Sequence, residues 1–132
     1  MASILRIALM LALVATLGGQ NKPTSISAAT AAAKANLNTP EGKAYDQKFE
    51  AEFMPKHFAT LGQCKETVAS DPRSFWIFLK LDKDGTATEV LVSPSTKLGT
   101  CAQKALFKDK FPSPPHPAYW AGMFIQLAPR PK

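Results

Sequence analysis

Residue types that carry chemistry are scarce in this chain. Of its 132 residues only two are histidine and two are cysteine. No Gly-x-Ser-x-Gly, His-Glu-x-x-His or phosphate-cradling glycine loop occurs, which removes the common signatures of serine hydrolases, zinc proteases and nucleotide binders. His57 follows Lys56, and His116 stands between prolines. With no acid–base partner assignable to either, both are expected at the surface rather than in catalysis. Asp82-x-Asp84-Gly85 resembles the centre of a calcium loop, but such a loop needs an acid where Lys80 stands and a bidentate glutamate where Leu91 stands. No catalytic residue, metal ligand or cofactor is therefore expected, and the chain does not read as an enzyme.

Acid is short as well: ten Asp and Glu against sixteen Lys and Arg give a formal charge of +6. The lysines are scattered among acids (Lys43, Lys48, Lys65, Lys83, Lys97, Lys110) rather than gathered in a stripe, so a nucleic-acid partner is not expected. The sign permits mild attraction to anionic lipid or polyanionic envelope polymers.

Membrane-length apolar runs are missing too. Ile7 to Leu17 follows Arg6 and, as a helix, spans about 17 Å against about 30 Å of hydrocarbon. A short apolar run behind a positive charge, with small residues at Thr16 and Gly18, has the layout of a secretory signal. Residues 1–18 are expected to be such a signal, with a later cut after Ser27-Ala28-Ala29 or an uncleaved anchor as alternatives. Residues 19–38, with the Ala-rich run from Ala28 to Ala35, carry few large apolar side chains and no alternation. They read as a flexible tether with a reach of only about 24 Å. Residues 39–132 then suffice for one small domain, without internal repeats.

What is present in that domain is strand and helix punctuation. Thr39-Pro40-Glu41 is a helix start, and Tyr45, Phe49 and Phe53 recur on one face. Pro55 is expected to end or kink this helix near Met54, with a second helix through Phe58, Leu61 and Val68 closed by Asp71-Pro72. Ser74 to Leu81 alternates with Phe75, Ile77, Leu79 and Leu81 on one side, and Asp84-Gly85 reverses the chain into a second strand, Thr86 to Val92. Thr100 with Gln103 suggests a capping box for a short helix bearing Cys101, Ala105 and Leu106. Residues 111–117 are too proline-rich for helix or inner strand and should run extended. Tyr119 to Leu127 alternates as a third strand.

Cys64 and Cys101 are predicted on two helices that cover the same sheet. In an exported protein that favours a disulfide, which would restrict the unfolded chain by about 4 kcal/mol at most. A redox or nucleophilic thiol, or a zinc-bound pair, is the rival reading, and it lacks the Cys-x-x-Cys spacing.

The run from Leu81-Asp82-Lys83-Asp84-Gly85-Thr86 through Phe111-Pro112-Ser113-Pro114-Pro115 orders strand, turn, strand, Cys-bearing helix and proline-braced exit. With Val90, Val92, Ser93, Ala105 and Leu106 in place, that order resembles the C-terminal domain of TonB-like envelope proteins, over about Phe53 to Leu127. The resemblance implies an α+β fold: a small three-stranded antiparallel sheet, made of a β-hairpin and a C-terminal strand, packed with two or three helices. It also implies partner binding by main-chain pairing along a sheet edge. The chain departs from the energy-transducing members. It has no Tyr-Pro pair before the first strand, where Met54-Pro55 is the nearest echo, and no long proline-rich spacer or robust anchor. The two cysteines suggest a variant branch.

The expected function is an exported, non-enzymatic interaction module of the cell envelope that binds an envelope protein or peptide, outer-membrane proteins included, by β-strand pairing. Trp120, Phe124 and Gln126 are the expected side chains that read the partner. The expected place is periplasmic or secreted, with membrane association only through an uncleaved N-terminus. A membrane-anchored energy transducer facing the periplasm from the inner membrane is the alternative, and a small secreted enzyme or enzyme inhibitor is a second. Trp76, Phe78 and Tyr119 are aromatic as well, but strand aromatics more often fill a core.

Overall fold

Strict alternation over three strands sorts their side chains onto two faces, and that division organises the molecule. The structure, a computed structural model, describes residues 24–64, 71 and 73–126. The expected signal (1–18), the strand end at Leu127 and the expected end of a second helix through Val68 lie outside them. β1 (Phe75–Leu81) is central, flanked antiparallel by β2 (Ala87–Ser93) and β3 (Tyr119–Ile125) in the order β2-β1-β3. Together with the helices below, this is the expected α+β architecture. At the hairpin the Asp82 carboxylate accepts from the backbone N–H groups of Asp84 and Thr86. Gly85 adopts φ +88°, and a Cβ there would lie 1.9 Å from the carbonyl oxygen of Phe111. Only glycine meets both demands.

The first face carries Phe75, Ile77, Leu79 and Leu81 with Val90, Val92, Tyr119 and Ala121, all buried. Two helices cover it. α2 (Pro40–Leu61) starts as its sequence signals, with the Thr39 hydroxyl accepting from the Gly42 N–H at 3.0 Å. It contributes Tyr45, Phe49 and Phe53, the last two ring-stacked on Phe111. The Tyr45 hydroxyl donates to the Pro112 carbonyl at 2.7 Å and burial pushes its phenol above the usual range, so the proline-rich exit is fastened to the helix. Contrary to expectation, α2 runs through Pro55 without a break and ends in a 3-10 turn, Gly62–Cys64. Pro55 is exposed, so its ring displaces nothing in the core, and its cost is local to the helix: one lost hydrogen bond and the ring's crowding of the preceding turn.

The last helix, α3 (Lys97–Leu106), begins a turn earlier than the Thr100–Gln103 pattern suggested. Its cap is Thr96, whose hydroxyl accepts from the Gly99 N–H at 2.8 Å. The Asp71 carboxylate takes the Lys97 N–H and is held well below the usual carboxylate range by its hydrogen bonds from Arg73 and then from Lys97. Cys64 and Cys101 form the expected disulfide, joining the end of α2 to α3.

The second face carries Trp76, Phe78, Lys80, Leu91, Trp120, Gly122 and Phe124. The expected tether does not leave it bare: α1 (Ile26–Leu37) lies across it and belongs to the folded unit. Ser25 caps α1 by accepting from the Ala28 N–H, and Ala29 and Ala33 pack on Phe78 and Trp120. Poverty in large apolar residues misled the sequence reading. Alanine is the best helix former and, being small, lets a helix axis approach aromatic rings on a sheet. Among the described residues no helix is long and apolar enough to cross a membrane.

Candidate partner-binding edge

Backbone groups of an antiparallel strand point alternately to either side, so any one outward bond sets the parity of the whole edge. On β3 the Trp120 carbonyl accepts from Asn36 Nδ2 of α1 at 2.9 Å, away from β1. On β2 the Val90 carbonyl accepts from Gln103 of α3, again away from β1. Val90 and Ala121 both face Leu79 across the sheet. Leu79 must then bond toward Ala121, which turns Trp120, Gly122 and Phe124 outward on the free side of β3. The two edges therefore differ. β2 is covered over most of its length: Ala87 exchanges backbone bonds with Lys108 and Asp109, Thr86 bridges to Lys110, and Gln103 takes the Val90 carbonyl, which leaves Val92 as its outward residue without such a bond among the described residues. On β3 only the Trp120 carbonyl is taken, and no other element bonds to the backbone of Gly122 or Phe124 among the described residues.

The three side chains expected to read a partner are not brought together. Trp120 is only 6% exposed and lies under α1 against Ala29, Ala33 and Phe78, which withdraws its ring from the role expected of it. Its carbonyl is occupied by Asn36, so neither its ring nor its carbonyl is free to meet a partner. Phe124 is 46% exposed, and Gln126 is exposed just beyond the strand. Trp76 takes the place that Trp120 was expected to hold: 46% exposed, with its ring 5.2 Å from that of Phe124 and 5.9 Å from that of Phe78. Alternation alone put Trp76 and Trp120 on the same face. What separates them is where α1 lies, which the strand pattern does not contain. Gly122 belongs to the same device, since a Cβ there would come within 3.0 Å of the Phe78 ring, which lies across it.

The histidines also differ from expectation. His116 is exposed as anticipated, with Nδ1 at 2.9 Å from the Pro117 carbonyl. His57 is buried at 3% exposure, with Nδ1 2.8 Å from Asp109 Oδ2. The turn acids Asp82 and Asp84 spend their oxygens on Asp84, Thr86 and Lys110 within and beside the hairpin. No group of three or more His, Cys, Asp and Glu side chains among the described residues could hold a metal ion.

Comparison with protein-family models, with curated proteins and with solved structures finds no match, so a functional reading of this chain stands on its own residues and geometry.

Proposed function

We propose that this chain is an exported, non-enzymatic interaction module that captures an extended segment of another envelope protein by adding it as a strand to the outer edge of β3. The observation that carries the reading is the asymmetry of the sheet: β2 is bonded from outside at Ala87, by residues 108 and 109, and at Val90, by Gln103, while among the described residues Gly122 and Phe124 keep outward N–H and C=O groups for a fourth strand. Main-chain bonds supply affinity in such capture, and alternate side chains supply specificity. Phe124 and Gln126 flank the edge on the second-face side. Export is supported by the Arg6-led apolar segment and by the Cys64–Cys101 disulfide, a bond that persists in oxidising compartments. The resemblance to the TonB C-terminal domain, in the order of strands, helix and Phe111-Pro112, points to the same mode of binding.

A photo-crosslinking residue at Gln126, used in the envelope of the producing cell, tests the proposal with two variants. Phe124→Pro removes an outward N–H, and Phe124→Ala removes only the ring. Proline at Ile125 would be a poorer probe, because parity directs that N–H toward β1. The expected result is a discrete crosslinked partner with wild type, reduced but present with Phe124→Ala and absent with Phe124→Pro, each variant being folded by circular dichroism. Equal crosslinking by folded Phe124→Pro overturns main-chain capture at this edge.

A further inference from the structure

α1 covers the second face only in part. The residue before its cap is tied to β2, where the backbone N–H and hydroxyl of Thr24 both bond the Glu89 carboxylate, and its last turn is tied to β3 through Asn36. The end of the face at Trp76 and Phe124 is left open. Between α1 and that end runs a groove of about 390 Å³. Its apolar walls are Ile26, Ala33 and Leu37 on one side and Trp76 and Phe78 on the other. Gly122 adds no side chain, which keeps it open. The volume lies in the range of small-molecule sites.

Charge selects the class of ligand. Lys34 is the single charged residue lining the groove, and its ammonium has no ion pair among the described residues. Exposed aromatic faces such as Trp76 and Phe124 would by themselves suit a quaternary ammonium, but a cation there would sit beside Lys34 on a chain of net charge +6. A hydrocarbon chain ending in an anion satisfies both walls and rim. One isolated lysine is not the polybasic cluster by which proteins hold anionic membrane surfaces, so the fitting ligand is a free molecule.

The geometry points to a binding site for a single-chain amphiphilic carboxylate, its hydrocarbon laid against Trp76, Phe78 and Leu37 and its carboxylate at Lys34. The site rests on side chains of one face, with Gly122 as its floor, while strand capture rests on the outward N–H and C=O groups of β3, so the two are tested by different variants.

The chain has two tryptophans, one buried and one at the groove, which makes binding visible as a change in emission from Trp76. The probe is decanoate below its micelle-forming concentration, added to the full chain and followed by calorimetry and fluorescence, with decyltrimethylammonium as the cationic counterpart and phosphatidylglycerol vesicles as the membrane arm. Decanoate should bind saturably and shift emission to the blue, the cation should not, and Lys34→Gln should weaken decanoate about threefold or more, the loss expected for one part-exposed ion pair. In Trp76→Ala the blue shift should vanish and the calorimetric affinity should fall. The proposal is overturned by equal binding of anion and cation, by unchanged affinity in folded Lys34→Gln, by the absence of saturable binding, or by binding to vesicles without binding to free decanoate.

Discussion

At the scale of single residues, His57 carries the largest consequence. A carboxylate only accepts, so the 2.8 Å contact with Asp109 places a proton on Nδ1. Nε2 is then buried without a partner among the described residues, a cost offset by the stacking of the ring on Phe111 at 4.2 Å. Nothing in the local sequence announces this. Asp109 lies 52 positions away, and the neighbours Lys56 and Ala59 are exposed, so only the face shared with Phe53 hinted at burial. His57→Ala should lower stability by about 2–4 kcal/mol, from the cavity beside Phe111 and the loss of the bond to Asp109. His57→Phe keeps the stack and removes the orphan nitrogen, while Asp109, 30% exposed at its side chain, turns to water. It should cost less than half as much. Urea unfolding of both variants measures the difference, and equal losses would mean that the bond to Asp109, not the packing, holds this corner.

At the scale of elements, legibility followed the size of the side chains that mark the period. The strands and the hairpin were readable because Phe75, Ile77, Leu79 and Leu81 alternate over a full strand and Asp84-Gly85 permits one local solution. α2 was readable at its start, where Thr39 and Pro40 act within one turn, but not in its length, because Pro55 breaks a local rule while packing beyond it maintains the helix. α1 was missed because alanine marks no face. The burial that fixes α1 comes from Phe78 and Trp120, distant in sequence. Of the candidate site, Phe124 and Gln126 were legible by strand parity, whereas the exposure of Trp76 and the closure of Trp120 depend on where α1 lies. One consequence is specific to α2. Since Pro55 is exposed and occupies a helix interior, Pro55→Ala restores a backbone donor and relieves the ring's clash with the preceding turn. It should raise stability by about 1–3 kcal/mol, read as a higher urea midpoint at unchanged slope. A lower midpoint would mean that the rest of the fold depends on the proline's geometry.

At the scale of the whole molecule, the sheet divides two layers held by different means. The first layer combines a large aromatic and aliphatic core with the Cys64–Cys101 link between the end of α2 and α3. The second is α1 alone, with two buried alanines and a few polar ties at its ends. Nothing covalent fastens α1 to the sheet, and its buried apolar area per turn is small, so its opening should cost far less than global unfolding. That opening would uncover Phe78 and Trp120 and remove the α1 wall of the groove beside Trp76 while leaving β3 paired to β1. Hydrogen exchange followed by mass spectrometry separates the layers. With the disulfide intact, amides of residues 26–37 should exchange well before those of β1. Replacing both cysteines by serine should lower the protection of β1 by up to about 4 kcal/mol, the chain-entropy estimate for a loop of 37 residues, and leave the early exchange of α1 unchanged, because the bridge does not constrain it. If α1 and β1 exchange together and shift together on loss of the bridge, the two layers form one cooperative unit and α1 is as integral to the fold as the strands it covers.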